Sequence, residues 1–205
     1  EPGLVGFFPG SREREVRRIF PVMVEAAKII RREFPGARFE AAAASEAHAA
    51  RMQSITKDIV VHYGTAHSLM QRATAGVVCS GTATLEAAFF GLPYCLVYKI
   101  AWLTFEIGKR VVDIDALGIV NILNNYRRNP PPDPRLPAKA APHVVREFIQ
   151  NAATPDSLAN EVLRLLRDEA AREALSREML DITSELAAHG ASERAASALL
   201  KALEL

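Results

Sequence analysis

Cys79-Ser80-Gly81-Thr82-Ala83-Thr84-Leu85-Glu86 follows a short apolar run, Gly76-Val77-Val78, and opens a helical pattern. Pro9-Gly10-Ser11-Arg12 does the same after Val5-Gly6-Phe7-Phe8. Small hydroxyl and glycine residues at a strand-to-helix turn let backbone N–H groups point outward at the positive end of the helix dipole, which suits a phosphate or diphosphate. Arg12 adds a guanidinium fork to one turn, and Glu86 sets a carboxylate one helical turn inside the other. Two such turns in one domain suggest a nucleotide ligand.

Working outward, strands and helices alternate through the first half. Leu4 to Phe8 reads as a strand, with Ser11 as N-cap and Glu13 and Glu15 in the first helical turn. Pro21 interrupts the pattern, as a break, a kink or a restart. Val22 to Phe34 continues the helix until Pro35-Gly36. Further strands are expected at Ala37–Ala44, Ile59–His62, Gly76–Cys79 and Tyr94–Tyr98, with helices opened by Ser45, Thr65 and Gly81 between them. Strands separated by helices imply right-handed crossovers and a parallel sheet covered on both faces. Ligands of such sheets sit at the carboxyl ends of the strands, where both turns fall.

The second half changes character. The stretch from Arg127 to Pro142, with Pro130-Pro131-Pro132, is expected to be an exposed, partly extended loop. Thr154-Pro155-Asp156 then marks a helix start. Apolar stripes follow at Leu158, Val162, Leu165 and Leu166, at Leu175, Met179, Ile182 and Leu186, and at Ala196, Leu199, Leu200 and Leu203. The domain organisation expected is a ligand-binding α/β domain over residues 1–150 and C-terminal helices over 151–205.

The 205 residues are 49% hydrophobic and 24% charged, the balance of a globular protein with a sizeable core. A net charge of +1 gives nucleic acid no electrostatic support as a partner. No apolar run reaches the roughly 18 to 20 residues that a membrane span needs. Cys79 and Cys95 fall in expected buried strands, which fits a reduced cytoplasmic interior. Glu1-Pro2-Gly3 leads almost at once into a core strand without a methionine, so further chain is expected upstream.

Several rival chemistries fail on their motifs. There is no Gly-x-Ser-x-Gly elbow to make Ser11 or Ser80 a nucleophile. Gly108-Lys109-Arg110 lacks the hydroxyl and the glycine spacing of a P-loop, and no Gly-x-Gly-x-x-Gly is present. His48, His62, His67, His143 and His189 show no metal-ligand spacing, so no metal is expected. Cys79 reads as a buried strand residue rather than a nucleophile. The serine-glycine-threonine turn could be a capped helix end with no ligand, but its pairing with Pro9 to Arg12 favours two phosphates held there and ribose hydroxyls on Glu86. From Lys99 to Val112, large apolar residues are flanked by Lys99, Lys109 and Arg110. A membrane-interface helix and a buried core helix both have this composition; Trp102 and Phe105 are the candidate lipid contacts.

At these residues the chain resembles the C-terminal half of the lipid-A-disaccharide synthases, glycosyltransferases of GT-B fold (family 19). The resemblance is carried by Phe7 to Arg12 with Glu15, Ser80 to Glu86, Pro93 to Lys99, Asn121-Ile122, and Glu147 to Gln150. It runs in order through nearly the whole chain; the stretch Arg127 to Pro142 reads as an insertion. The fold it implies is a Rossmann-like parallel sheet flanked by helices, with a helical C-terminal tail. It implies that Gly10, Ser11 and Arg12 meet the diphosphate of a UDP-sugar and that Ser80, Gly81, Thr82 and Thr84 complete the cradle. Glu86 takes the ribose, Asn121 and Gln150 line the donor pocket, and the backbone near Tyr63-Gly64 holds the uracil.

The reaction implied joins UDP-2,3-diacylglucosamine to 2,3-diacylglucosamine 1-phosphate, releasing UDP with inversion, with no cofactor and no required metal. The acceptor site and general base are expected on an N-terminal half, so the catalytic residues stay unassigned and this chain alone should not turn over. The partners implied are the donor, the lipid acceptor and the inner-membrane surface of a Gram-negative bacterium, met from the cytoplasm. The last helices are expected to pack on this domain, on the N-terminal half, or in a homodimer. Two alternatives stay open: a UDP-N-acetylglucosamine 2-epimerase on the same scaffold, and a non-catalytic nucleotide- or lipid-binding domain.

Overall fold

The computed structural model describes residues 1–99, 116–133 and 135–187. In chain order they form β1 (Leu4–Phe8), α1 (Glu13–Glu33), β2 (Arg38–Ala43), α2 (Glu46–Ile55), β3 (Val60–Tyr63), α3 (Ala66–Arg72), β4 (Ala75–Cys79) and α4 (Thr82–Phe89). Then come β5 (Tyr94–Tyr98), α5 (Ile119–Arg128), β6 (Glu147–Ile149), a 3-10 turn at Gln150–Ala152, α6 (Pro155–Arg167) and α7 (Glu169–Ala187). Trp102 and Phe105, and the stripe from Ala196 to Leu203, lie outside the described residues.

The six strands form one sheet in the order β3-β2-β1-β4-β5-β6, every pair parallel. The chain steps outward from β1 to β3, returns to place β4 beside β1, and steps outward again to β6. Crossovers on the two sides of β1 and β4 therefore lie on opposite faces, and a crevice opens where the strand order reverses. β1 and β4 are buried along their whole length, which explains their unbroken apolar character. Phe7 stacks on Phe39 of β2 with ring centres 5.9 Å apart.

Helix α1 buries Val16, Ile19, Phe20, Met23, Val24, Ala27 and Ile30, a stripe at helical spacing, and packs on α6. α4 packs with α5 and α7. Thr154 caps α6 by accepting from the Ser157 N–H at 3.1 Å, with Pro155 in the first turn.

Three sequence expectations need correcting. Pro21 neither breaks nor restarts α1, which runs unbroken from Glu13 to Glu33. Pro21 and Arg17 both face solvent, so the carbonyl deprived of its helical donor is open to water. The N-cap of α1 is Arg12 rather than Ser11. Finally, α5 and the edge strand β6 form where the sequence pattern announced neither.

While Ile119 and Leu123 pack on the core, the buried side of α5 mixes Val120 with Asn121, Asn124 and Asn125. These amides hold the backbone of the loop that follows. Asn121 Oδ1 accepts from the N–H groups of Val144 and Val145 at 2.9 and 3.0 Å, and its Nδ2 donates to the Val145 carbonyl at 2.8 Å. Asn124 donates to the Pro142 carbonyl, and Asn125 accepts from the Ala141 N–H. Asn129 reaches the carbonyls of Lys139 and Ala140. A proline-rich segment is poor in N–H donors and cannot satisfy its own carbonyls, so the helix supplies partners.

Candidate functional site

The carboxyl ends of β1, β2 and β4 and the starts of α1, α3 and α4 enclose a cleft of about 490 Å³. It lies at the reversal of strand order, where the chain geometry alone opens a crevice. Gly10, Ser11, Arg12, Ser80, Gly81, Thr82 and Glu86 all line it, and Glu15 and Cys79 join them.

On the β1 side, the turn into α1 is closed by the chain itself. Glu15 Oε2 accepts from the backbone N–H groups of Ser11 and Arg12, both at 3.1 Å, and Oε1 accepts from Arg12 Nη1 at 2.9 Å. The carboxylate thus occupies the positive end of α1, where an external anion would otherwise sit. Gly10 makes this possible. Its φ is +105°, and a Cβ there would run into the Glu15 side chain. The Arg12 side chain stays 78% exposed, so it is tethered on one side and open on the other.

On the β4 side the corresponding turn is open. Gly81 is the N-cap of α4 with φ +150°, a conformation that side-chain-bearing residues rarely adopt. A Cβ at Gly81 would meet no atom within 4 Å, so backbone conformation, not crowding, explains the glycine. Among the described residues no side chain caps this helix. The Thr84 N–H turns back on the Gly81 carbonyl at 3.1 Å, whereas the N–H groups of Thr82 and Ala83 find no acceptor among the described residues, and both residues border the cleft.

Thr84 is turned inward: its hydroxyl donates to the Gly81 carbonyl at 2.6 Å, and the Tyr94 hydroxyl donates to the Thr84 carbonyl at 3.0 Å. Both bonds hold the turn from behind. Asn121 is 1% exposed, and its Nδ2 also donates to Glu147 at 2.7 Å. Gln150 follows β6 at the carboxyl edge of the sheet with φ +52°, and neither it nor Asn121 lines the cleft.

Glu86 stands one turn inside α4 and lines the cleft. His67 of α3 approaches it, with Nε2 3.1 Å from Oε2. This contact joins residues 19 apart from two helices, and sequence spacing carried no sign of it. Glu147 plays for α5 the part that Glu15 plays for α1, accepting from the N–H groups of Leu117 and Gly118 at 2.9 Å.

Cys79 ends β4 and is buried; burial first, then the nearby Glu15 charge, pushes its thiol up to about 12, so it stays protonated and is no nucleophile. Burial likewise pushes the Tyr98 phenol up, with Glu15 and Cys79 adding to the effect. Among the described residues no group of His, Cys, Asp and Glu could hold a metal, and no helix is long and apolar enough to cross a membrane.

A doubly wound parallel sheet flanked by helices defines a Rossmann-like α/β domain, and solved structures share it. The calicheamicin glycosyltransferase CalG4 matches all of this chain and 42% of its own, with TM-score 0.55 and 19% identity. A UDP-N-acetylglucosamine 2-epimerase from Listeria monocytogenes matches 86% of this chain and 40% of its own, with TM-score 0.52 and 12% identity. The fold is therefore common to transferases and epimerases. Sequence separates them. The family model described as lipid-A-disaccharide synthetase matches residues 2–202, and the chain belongs to that family. A lipid-A-disaccharide synthase from Geobacter metallireducens is 34% identical over 204 residues, covering 98% of this chain and 49% of the relative. The chain spans about half the length of the curated relatives it matches.

Proposed function

We propose that this chain is the donor-binding half of a glycosyltransferase that forms the lipid A disaccharide. The reading rests above all on the uncapped N-terminus of α4, which opens on the cleft at the sheet's reversal point with Arg12 and Glu86 on its walls. A diphosphate on the first-turn N–H groups of α4 receives the helix dipole, and the Ser80 and Thr82 hydroxyls add donors. Arg12, held by Glu15 yet exposed, supplies the cation on the opposite wall. Glu86 accepts from the ribose, and the uracil extends toward Tyr63-Gly64 past the β2 end.

Family membership supports UDP-2,3-diacylglucosamine as the donor and 2,3-diacylglucosamine 1-phosphate as the acceptor, with UDP as leaving group. The uncapped helix end and Arg12 would stabilise the negative charge that develops on the departing diphosphate, without a required metal. The acceptor site and general base belong to the part of the relatives that this chain does not span. Gln150 lies toward the sugar end of the same sheet edge, and Thr84 and Asn121 act at one remove by fixing backbone. Trp102 and Phe105 bring the chain to the inner-membrane surface, where both lipids reside. The C-terminal unit, residues 151–205, whose described part holds α6 and α7, also serves a homodimer.

Calorimetric titration of UDP into the chain tests the reading. Saturable binding at millimolar UDP or tighter is expected, without glycosyl transfer. No heat at millimolar UDP with the fold intact would sink it.

A further inference from the structure

The rim of the cleft carries a contact that the donor-site reading does not itself require. His67 is the second residue of α3, and Glu86 lies on α4 across the cleft. Their side chains meet at 3.1 Å, between His67 Nε2 and Glu86 Oε2. A carboxylate offers only acceptors, so Nε2 carries the proton in this bond. The imidazole is also held from the other side: its ring lies 5.3 Å from the Phe90 ring, tilted by 47°. Phe90 packs on the core, so His67 is braced by the end of the very helix that bears Glu86.

The pair is exposed, with 66% of the His67 side chain and 41% of the Glu86 side chain open to solvent. Exposed pairs contribute little to folding, so stability gives this one no evident reason to exist. Its effect is orientational. A glutamate has three rotatable bonds, and an unrestrained one at the edge of a cleft samples many positions. One bond to Oε2 fixes the plane of the carboxylate and leaves its remaining lone pairs for hydroxyl donors.

We infer that His67 is a positioning residue that sets Glu86 to read the ribose hydroxyls of a nucleoside diphosphate, giving the cleft its preference for ribose over deoxyribose. This rests on the donor-site reading, and it concerns a side chain that does not line the cleft. The bond spends conformational freedom in the free protein, so less is lost when the nucleotide binds.

The test compares UDP with 2′-deoxy-UDP by calorimetry on the chain and on its His67→Ala and His67→Gln variants. A hydroxyl–carboxylate bond makes the unaltered chain prefer UDP by about tenfold. His67→Ala is expected to lower that preference to about threefold or less, leaving 2′-deoxy-UDP affinity within about twofold. His67→Gln places an amide donor near the position of Nε2 and is expected to restore most of the preference. Circular dichroism should show all three chains equally folded. A preference that survives in His67→Ala would overturn the inference, as would equal weakening of both nucleotides or a glutamine no better than alanine. If the unaltered chain binds neither nucleotide, the donor-site reading fails and this inference falls with it; the other outcomes leave that reading standing.

Discussion

At the β1–α1 turn the N–H groups of Ser11 and Arg12 donate to Glu15, whereas at the β4–α4 turn Gly81 leaves the helix end without a side-chain cap. Both turns follow a buried parallel strand, both depend on a glycine with positive φ, and both face the same cleft. Glu147 closes α5 as Glu15 closes α1. Three helix ends with the same intrinsic dipole are thus divided into two that a glutamate of the chain fills and one that, among the described residues, no side chain fills. A helix N-terminus is an anion site only when nothing internal already fills it. The closed turn serves the open one indirectly, since the Glu15 carboxylate holds the Arg12 guanidinium at the cleft wall.

The comparison breaks most visibly if the open turn is closed. Thr82→Asp places a carboxylate in the first turn of α4. UDP binding should fall about 100-fold by like-charge repulsion, while helix stability holds or rises by a few tenths of a kcal/mol. Calorimetry and urea unfolding read the two effects separately, and a variant that loses stability along with affinity would mean that the turn is structural. Arg12→Ala removes the cation from the facing wall, and an affinity loss of about tenfold is expected with stability unchanged. Unaltered UDP affinity would take Arg12 out of the diphosphate site.

Opening the closed turn is the converse experiment. Glu15→Gln keeps one oxygen for the Ser11 and Arg12 N–H groups but loses the charge and the acceptor of Arg12 Nη1, and should cost about 1 kcal/mol of stability in urea. A stabilised variant would show that the Glu15 charge is not a cap.

The smallest effect concerns Cys79, between the two turns. Its thiol is held up to about 12 in the folded chain against an ordinary 9.0. The native state therefore keeps a proton that the unfolded chain releases above about pH 9. This contribution to stability is complete below that pH and is lost as the pH climbs toward 12. Urea midpoints at pH 8 and pH 10 should diverge less for Cys79→Ala than for the parent. Thiol labelling at pH 8 should be slow until the chain unfolds; fast labelling of the native chain would contradict a buried, protonated Cys79.

Strand-like apolar runs between helical patterns predicted β1 to β5 within a residue at each end; the inner strands β1, β4 and β5 are buried almost throughout and so carry continuous hydrophobicity. α5 escaped because its apolar residues Ile119, Val120 and Leu123 span barely one turn and share the buried side with the amides of Asn121, Asn124 and Asn125. β6 escaped because three residues at a sheet edge leave no period to read. At the site, the sequence placed Ser11, Arg12, Ser80 and Glu86 at strand ends, and the folded chain gathers them around one cleft. The contact of His67 with Glu86 needs α3 and α4 side by side, and nothing in a 19-residue separation announces that.

Local chemistry is written in the chain: which residues can end a strand, open a helix, or tolerate positive φ is a property of each residue and its neighbours. Hence the alternation, the parallel sheet and the two glycine turns were determined by sequence alone. Strand order was not, because it depends on which faces pack after the whole chain has collapsed. That order puts β4 beside β1 and so brings together two turns about 70 residues apart. Whether a helix end is open or filled was also decided in three dimensions, since Glu15 turns back on its own helix while Glu147 reaches α5 from another strand.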